Sequence, residues 1–182
     1  TMSLLVLGVG PEDEVIVPDM TWIATAQAVS ILGAKVVLVD SKNDSPVFDV
    51  KKLECCISER TKAVIPVHFH GRYGDMEKLL SLQKKYGFSI VEDACKAMFC
   101  KADRCYLGTI GEMGCFSLGL ISLLSIGYGG FIVTNDDSLA EKCRLIRDHG
   151  LVRDPEEYLY QGFNFKVSDL LLAIGKGQFE RI

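Results

Sequence analysis

The sequence lacks an excess of positive charge. Lysine and arginine together number 20, against 24 acidic residues, and the formal net charge is -4. Nucleic acid and anionic membrane surfaces require a cluster or stripe of basic side chains, and the sequence contains none. The charge pattern therefore argues against both as the main partner.

The sequence also lacks a C-x-x-C pair and a secretory pattern at its start. Its seven cysteines form an odd set, and several of them lie within apolar stretches, where a thiol behaves as a small hydrophobic group. Reduced thiols without a secretory pattern predict a cytoplasmic protein.

Long apolar runs are scarce, with one exception. The stretch Met113–Asn135 carries no charged side chain and is long enough in principle to span a bilayer. Glycines and serines interrupt it repeatedly, which is typical of a buried strand, a loop and a second strand. We therefore expect no membrane span.

Short β-branched runs alternate with helical patterns along the chain. The predicted strands are Val15–Val17, Lys35–Asp40, Ala63–His68, Ser89–Glu92, Cys115–Leu118 and Phe131–Thr134. The predicted helices are Thr21–Leu32, Val50–Ser58, Met76–Tyr86 and Ser138–Asp148. Strands separated by helices of this length form β-α-β units, so the sequence predicts an α/β fold with three α/β/α layers around a mostly parallel mixed sheet.

Four residues are predicted to mark helix ends. Asp49 and Asp137 stand where N-caps are expected, because a carboxylate there accepts hydrogen bonds from the free N–H groups of the first turn. Gly87 and Gly150 follow their helices as C-terminal residues should.

Functional groups in such sheets lie just beyond the carboxyl ends of the strands. Glu92 and Asp93 end one buried strand. The pair is typical of a helix N-cap or an ion pair. Alternatively, a carboxylate at this position pairs with the protonated ring nitrogen of a pyridinium cofactor, which needs a negative partner to act as an electron sink.

Ser117 ends another predicted strand and precedes a glycine-punctuated loop. Its hydroxyl and the nearby backbone N–H groups could hold a phosphate, although buried serines near glycines are also common. Neither G-x-G-x-x-G nor the P-loop pattern is present, because the segment Gly8–Asp13 departs from the first of these at its last position.

His68 and His70 are predicted to share one face of a strand, at a spacing that metal sites use. No third ligand stands in register with them. The sequence therefore predicts no metal site and assigns these histidines to packing or substrate contact.

The motifs occur in an order that is specific as a series. They are Gly8–Pro18 (GVGPEDEVIVP), Thr21–Ala26 (TWIATA), Ile65–Gly71 (IPVHFHG), Glu92–Ala94, Cys115–Ser117, Gly129–Gly130, Arg147–Gly150 (RDHG) and Gly162–Phe165 (GFNF). This series resembles the PLP-dependent sugar aminotransferases of the DegT/StrS type, which have the aspartate aminotransferase fold (fold type I). The resemblance runs over essentially the whole chain.

The resemblance implies a role for each matching residue. Asp93 would pair with the pyridine nitrogen of pyridoxal 5'-phosphate (PLP), and Trp22 would stack on its ring, which needs a flat aromatic face. Ser117 would bind the cofactor phosphate. Asn164 would reach the phosphate of the neighbouring subunit in a homodimer with a shared active site.

The implied reaction transfers an amino group, usually from glutamate, to a keto carbon of a nucleotide-activated deoxysugar. The small-molecule partners would then be a nucleotide sugar and an amino-acid donor. His68 and His149 are the candidates for contacts with the substrate.

One position departs from the family in its chemistry. The family lysine that forms a Schiff base with the cofactor lies five residues after the phosphate-binding serine, and this position is Ser122 here. A serine hydroxyl forms no imine with an aldehyde and cannot shuttle a proton as a lysine amine does. We therefore expect impaired activity. Three explanations stay open: an engineered substitution that traps an intermediate, a natural degenerate paralogue, or a lysine at another position.

Lys96 is the candidate for that other lysine. The family has glutamine or histidine three residues after the aspartate, near the 3-hydroxyl group of the cofactor, so an amine there would bind next to the aldehyde carbon. The alternative for Lys96 is an ion pair or a solvated helix start. Lys166 replaces an arginine that is common after the G-x-N-x motif and keeps the charge without the planar fork.

Two other functions stay open. The chain could be an inactive homologue that binds PLP or a nucleotide sugar as a regulator or dimer partner. It could also be a sugar dehydratase, because some relatives with histidine at the Schiff-base position have that activity. In each case residues 1–182 are expected to form the large PLP-binding domain, with a phosphate-binding segment and a small C-terminal domain outside them.

Overall fold

A computed structural model of the protein describes residues 1–153 and 155–182. The α-helices are α1 (Met2–Val6), α2 (Ile23–Ser30), α3 (Val50–Leu53), α4 (Met76–Tyr86), α5 (Asp137–Arg147) and α6 (Asp169–Phe179). The strands are β1 (Glu14–Pro18), β2 (Lys35–Val39), β3 (Ser41–Lys42), β4 (Ser45–Phe48), β5 (Thr61–Val64), β6 (Ser89–Asp93), β7 (Lys101–Ala102), β8 (Cys105–Tyr106), β9 (Met113–Ser117), β10 (Gly130–Val133), β11 (Leu151–Arg153) and β12 (Glu156–Tyr158). Short 3-10 helices cover Glu54–Cys56 and Phe69–Gly71.

The main sheet has six strands in the order β10-β9-β6-β5-β1-β2. Strands β9, β6, β5, β1 and β2 run parallel to one another, and β10 is antiparallel to β9. This arrangement confirms the predicted mostly parallel mixed sheet. The carboxyl ends of the five parallel strands meet along one side of the sheet, which we call the carboxyl edge.

Helices cover both faces of the sheet, because its central strands are apolar on both sides. All five residues of β1 are buried. Val15 and Val17 pack with α1 and α2, whereas Ile16 packs with α3 and α4 on the opposite face. Burial of consecutive strand residues on two faces is typical of parallel sheets between helices. The three-layer α/β/α architecture is therefore confirmed.

The helix ends show where local sequence patterns predict well. The bounds of α4 match the prediction, and Gly87 adopts the left-handed conformation (φ 80°) that ends the helix. Asp49 caps α3 by accepting a hydrogen bond from the Lys51 N–H. The predicted cap at Asp137 was wrong: Asp136 accepts from the N–H groups of Ser138 and Leu139, and α5 begins one residue earlier than expected.

Strand β5 is shorter than predicted. It ends at Val64 instead of continuing to His68. Pro66 has no N–H to donate to a ladder, so the chain beyond Val64 pairs with β6 only at the isolated bridge between Val67 and Asp93. As a result, His70 lies in a 3-10 helix rather than on a strand face.

The charge-free stretch from residue 113 to residue 135 contains β9, a loop and β10, as predicted. Among the described residues, no helix has both the length and the apolar composition needed to cross a membrane.

Gly114 in β9 permits a close backbone approach. A Cβ atom at this position would lie 1.8 Å from the carbonyl oxygen of Gly108. Such a distance is far inside van der Waals contact, so the loop that carries Gly108 lies flat on β9 only because residue 114 has no side chain.

We expect Gly114→Ala to destabilise the fold by at least about 3 kcal/mol, because two backbone segments would have to separate. The matched control is Gly177→Ala in α6, where an added Cβ meets nothing within 4 Å. Alanine is the better helix former, so this control should be neutral or stabilising by roughly 0.5–1 kcal/mol. Thermal unfolding measures both, and equal melting temperatures would contradict the prediction.

Candidate functional site

The carboxyl edge brings Asp93 and Ser117 together on one face of the sheet. In the parallel pairing of β6 with β9, Asp93 lies opposite Cys115. Ser117 is two residues further along β9, so it points to the same face as Cys115. With a strand spacing of about 4.8 Å and a rise of about 3.3 Å per residue, the two Cα atoms are roughly 8 Å apart. A single small heterocycle with an anionic substituent can bridge such a gap.

Two donors fix the Asp93 carboxylate. Its Oδ2 accepts from the Thr25 hydroxyl at 2.9 Å, and its Oδ1 accepts from the Cys95 backbone N–H at 3.2 Å. Thr25 in turn contacts the hydroxyl of Thr21 at 2.9 Å. A carboxylate has about four acceptor positions, so it can accept further hydrogen bonds. Burial and the Asp93 charge raise the pKa of the Cys95 thiol above its usual value, so this thiol stays neutral.

Trp22 lies at the start of the helix that Thr25 ties to Asp93. It occupies the N-cap position of α2 in extended conformation, and its side chain is 77% exposed. Thr25 belongs to the first turn of the same helix. The hydrogen bond between Thr25 and Asp93 therefore fixes the helix end that carries this indole, whose flat face is open to a ligand.

Ser117 begins the loop that leads from β9 to β10. Its Oγ accepts from the Gly119 N–H at 3.1 Å, and the Leu118 N–H donates to the Gly129 carbonyl at 3.0 Å. Since a hydroxyl both accepts and donates, the Ser117 hydrogen can turn toward an anion. We call residues 118–129 the β9–β10 loop.

Lys96 and Ser122 meet at the β9–β10 loop. The Lys96 Nζ donates to the carbonyl oxygen of Ile121 at 2.9 Å. The Oγ of the next residue, Ser122, is buried and has no hydrogen-bond partner among the described residues. The side chains of Leu120 and Ile121 are more than four-fifths exposed. The loop thus presents apolar side chains outward and a buried hydroxyl inward, with a lysine amine beside it.

On the opposite face of β6, Glu92 is fully buried and accepts four hydrogen bonds. Its Oε1 accepts from the N–H groups of Ile110 at 2.6 Å and Gly111 at 2.7 Å. Its Oε2 accepts from the Gly108 N–H at 2.8 Å and lies 2.7 Å from His68 Nε2. The carboxylate holds the loop from Gly108 to Gly111 against the strand that ends in Asp93.

These hydrogen bonds decide the ionisation of Glu92. Burial by itself raises the pKa of a carboxyl group, but His68 and the backbone N–H groups of Gly111 and Gly108 outweigh it. The net pKa of Glu92 lies below the ordinary 4.5. This buried group is therefore charged in the folded protein at neutral pH.

The structure shows His68 in packing, one of the two roles that the sequence left open. Its side chain is buried on the Glu92 side of the sheet and offers no exposed atom to a substrate. This placement favours the packing role over the substrate contact, with His68 as a structural partner of Glu92. The expected shared face with His70 was wrong, because His70 is exposed in the 3-10 helix after β5. The described residues hold no group of three metal-ligating side chains.

Three residues singled out in the sequence lie together near the end of α5, around Asp148. His149 is exposed and has a left-handed backbone (φ 62°). Asn164 is exposed and forms a β-bridge with Asp148. Lys166 forms an ion pair with Asp148 and, together with Arg153, lowers the pKa of that carboxyl group.

Sequence reasoning assigned no role to Thr25 or to the pairing of Glu92 with His68. The signal for Thr25 was its position three residues after Trp22 in the TWIATA segment, one helical turn along the same face. The partner of Glu92 could not be read from local patterns, because 24 residues separate the two side chains.

Known proteins are similar to this chain along its whole length. The model of the DegT/DnrJ/EryC1/StrS aminotransferase family matches residues 1–182. The chain is 39% identical to the GDP-perosamine synthase of Caulobacter vibrioides and 38% identical to a pleiotropic regulatory protein of Geobacillus stearothermophilus. Each alignment covers 100% of this chain and 49% of the relative. The chain therefore spans about half the length of these relatives.

The similarity extends to the fold of a solved structure. DesV of S. venezuelae, crystallised in complex with a ketimine intermediate, is 36% identical and superimposes with a TM-score of 0.92. The superposition covers 99% of this chain and 48% of DesV.

We expect Glu92→Gln to destabilise the protein by roughly 2–4 kcal/mol, because the amide NH₂ group would face buried donors. Glu141→Gln, at an exposed ion pair with Arg144, is the matched control. Since the folded pKa of Glu92 is lowered, its stabilising contribution is present above the unfolded value of 4.5 and is lost as pH falls through the folded pKa. Between pH 7 and pH 3, the free energy of unfolding measured in urea should therefore fall less for Glu92→Gln than for the unmodified protein. Parallel curves would contradict this assignment.

Proposed function

This chain belongs to the DegT/DnrJ/EryC1/StrS aminotransferase family, and we propose that it forms the PLP-binding domain of a sugar aminotransferase. The proposed substrate is a nucleotide-activated keto-deoxysugar, with glutamate as the amino donor. The name GDP-perosamine synthase, carried by a relative, supports a nucleotide-linked sugar. The observation that carries the proposal is the placement of Asp93 and Ser117 on one face at neighbouring strand ends.

The residues at the carboxyl edge fit the cofactor. Asp93 has acceptor capacity for a pyridinium N–H, and Ser117 has a hydroxyl hydrogen for the phosphate. Trp22 offers an exposed ring for stacking. The unpartnered Ser122 hydroxyl is a buried polar atom of the kind that a bound polar ligand would satisfy.

Each of these side chains has a separate task. When bound, PLP supplies an electron sink for the carbon that carries the amino group. Asp93 would keep the ring nitrogen protonated, and the hydrogen bonds from Thr25 and Cys95 would keep the carboxylate oriented toward it. Ser117 would hold the phosphate. Trp22 would cover one face of the ring and exclude water from it.

We further propose that the site is completed in a homodimer. Leu120 and Ile121 are exposed apolar side chains beside the site, and such patches favour burial against another surface. Asn164 is exposed and free to reach the phosphate of the neighbouring subunit, and His149 is available for a substrate contact from the same region. The proposal places the protein in the cytoplasm, in agreement with its cysteine pattern.

A non-catalytic regulatory role is the second candidate function. Two points favour it: a relative is named a pleiotropic regulatory protein, and residue 122 is a serine where the resemblance implies a lysine. The synthase name of another relative gives no support to the expectation of impaired activity. If the complete protein consumes glutamate in the presence of PLP, its function is catalytic. If it binds PLP but transfers no amino group, its function is regulatory.

Asp93→Asn should weaken PLP binding about tenfold or more, because the pyridinium loses a charged partner. The protein contains one tryptophan, Trp22, so quenching of its fluorescence during a PLP titration reports binding at this site. Asp44→Asn, in an exposed turn, is the matched control and should leave the titration unchanged. Equal affinities for all three proteins would contradict the proposed role of Asp93.

Ser117→Ala should weaken PLP binding about tenfold and leave the binding of pyridoxal, which has no phosphate, nearly unchanged. Ser125→Ala is the matched control. Each hydroxyl accepts from the N–H two residues further on, but the backbone of Ser125 is hydrogen-bonded to the Gln178 side chain of α6. Equal losses for PLP and pyridoxal in Ser117→Ala would place the phosphate elsewhere.

A further inference from the structure

We propose that Lys96 is the residue whose amine bonds covalently to the cofactor aldehyde in this chain. This inference rests on the proposed function, since it requires PLP at the carboxyl edge. It concerns the one reactive group that the family motif assigns to position 122 and that a serine cannot supply.

The first argument is the path of the Lys96 side chain. Lys96 lies in the turn directly after β6, three residues beyond Asp93. From there its side chain crosses to the β9–β10 loop, where Nζ donates to the Ile121 carbonyl at 2.9 Å. The side chain therefore links the turn that follows Asp93 to the β9–β10 loop.

The second argument is the identity of the neighbouring residue. Ile121 directly precedes Ser122, so the Lys96 amine contacts the backbone of the residue next to the position where the resemblance places the family lysine. The Ser122 hydroxyl is buried without a partner among the described residues. A lysine in the turn after β6 thus brings an amine beside the loop position to which the resemblance assigns the family lysine.

The third argument is the chemical availability of the amine. Its hydrogen bond goes to a neutral backbone carbonyl and not to a carboxylate, so no ion pair has to be broken when the amine is used. An ammonium group has three donors, and this contact uses one of them. Lys101 makes a useful comparison, because its amine lies 4.5 Å from the Tyr106 ring centroid in the β7–β8 hairpin.

The bond-forming step is a condensation that needs no oxidant or reductant. The unprotonated Lys96 nitrogen attacks the aldehyde carbon of PLP, and a carbon–nitrogen double bond replaces the carbon–oxygen double bond. The aldehyde oxygen leaves as water with the two hydrogens of the amine. A donor amino acid would release Lys96 by exchange of amines: the donor nitrogen forms the new carbon–nitrogen double bond, the bond to the Lys96 nitrogen breaks, and Lys96 leaves as a free amine that carries the two hydrogens of the donor amine.

The experiment maps the covalent bond directly. The protein is incubated with PLP at a concentration just sufficient to quench Trp22, reduced with borohydride, digested and analysed by mass spectrometry. We expect the phosphopyridoxyl label at Lys96 to exceed that at Lys101 about tenfold or more. Asp93→Asn should remove most of the Lys96 label and leave the weak Lys101 label unchanged, because only Lys96 depends on cofactor held at the site.

Two variants test the position independently of activity. Lys96→Arg keeps the charge but forms no stable imine, so it should lose the label while PLP still quenches Trp22. Lys101→Arg is the matched control and should label Lys96 as the unmodified protein does. In the double variant Lys96→Arg with Ser122→Lys, the label should move to position 122, which shows that both positions face the same aldehyde.

The outcomes separate this inference from the proposed function. Quenching of Trp22 without a label at Lys96, or with equal labels at Lys96 and Lys101, overturns the role of Lys96 and leaves the cofactor site standing. Absence of quenching in the unmodified protein overturns the proposed function and the inference with it.

Discussion

The buried Glu92 carboxylate is the interaction on which the candidate site depends. One charged group accepts hydrogen bonds from His68 and from three backbone N–H groups, all inside the protein. Four donors offset the cost of burying the charge and fix the position of the last residues of β6. Asp93 is the next residue, and its position relative to Ser117 follows from the pairing of β6 with β9. The interior on one face of the sheet therefore determines the geometry of the site on the other.

Much of the fold could be predicted because its signals are local. The 3.6-residue periodicity of α4 and its end at Gly87 lie within one short segment, and the structure reproduces both. The order of strands and helices predicted a parallel sheet for the same reason. The end of β5 was mispredicted because β-branched residues continue past the position where Pro66 removes the ladder donor. Periodicity reports which residues are apolar, but not which N–H groups are available.

The residues of the candidate site could be predicted from local signals, but the contacts between them could not. Asp93 and Ser117 were predictable because each stands at the end of an apolar run. Their partners were not, because the hydrogen bond from Thr25 to Asp93 joins residues 68 positions apart. The contact of Lys96 with the β9–β10 loop depends on how an irregular segment folds back, and no hydrophobic period describes such a segment. The sequence therefore predicts which carboxylate and hydroxyl matter, and the structure adds what orients them.

The hydrogen bonds to Glu92 also bear on how this region can change during evolution. The carboxylate contacts Gly108, Ile110 and Gly111 through main-chain atoms alone. These hydrogen bonds therefore depend on the position of the backbone N–H groups and not on the chemistry of the side chains. Thr109 has an exposed side chain that donates to the Tyr106 carbonyl at 2.8 Å and gives no hydrogen bond to Glu92, so its replacement removes none of the bonds to that carboxylate. Divergent descendants could therefore change Thr109 and still inherit the same placement of Asp93, whereas Gly108 and Gly111 have no room for a side chain, because an added Cβ would lie 2.4 Å from Phe116 and 2.6 Å from Ile90.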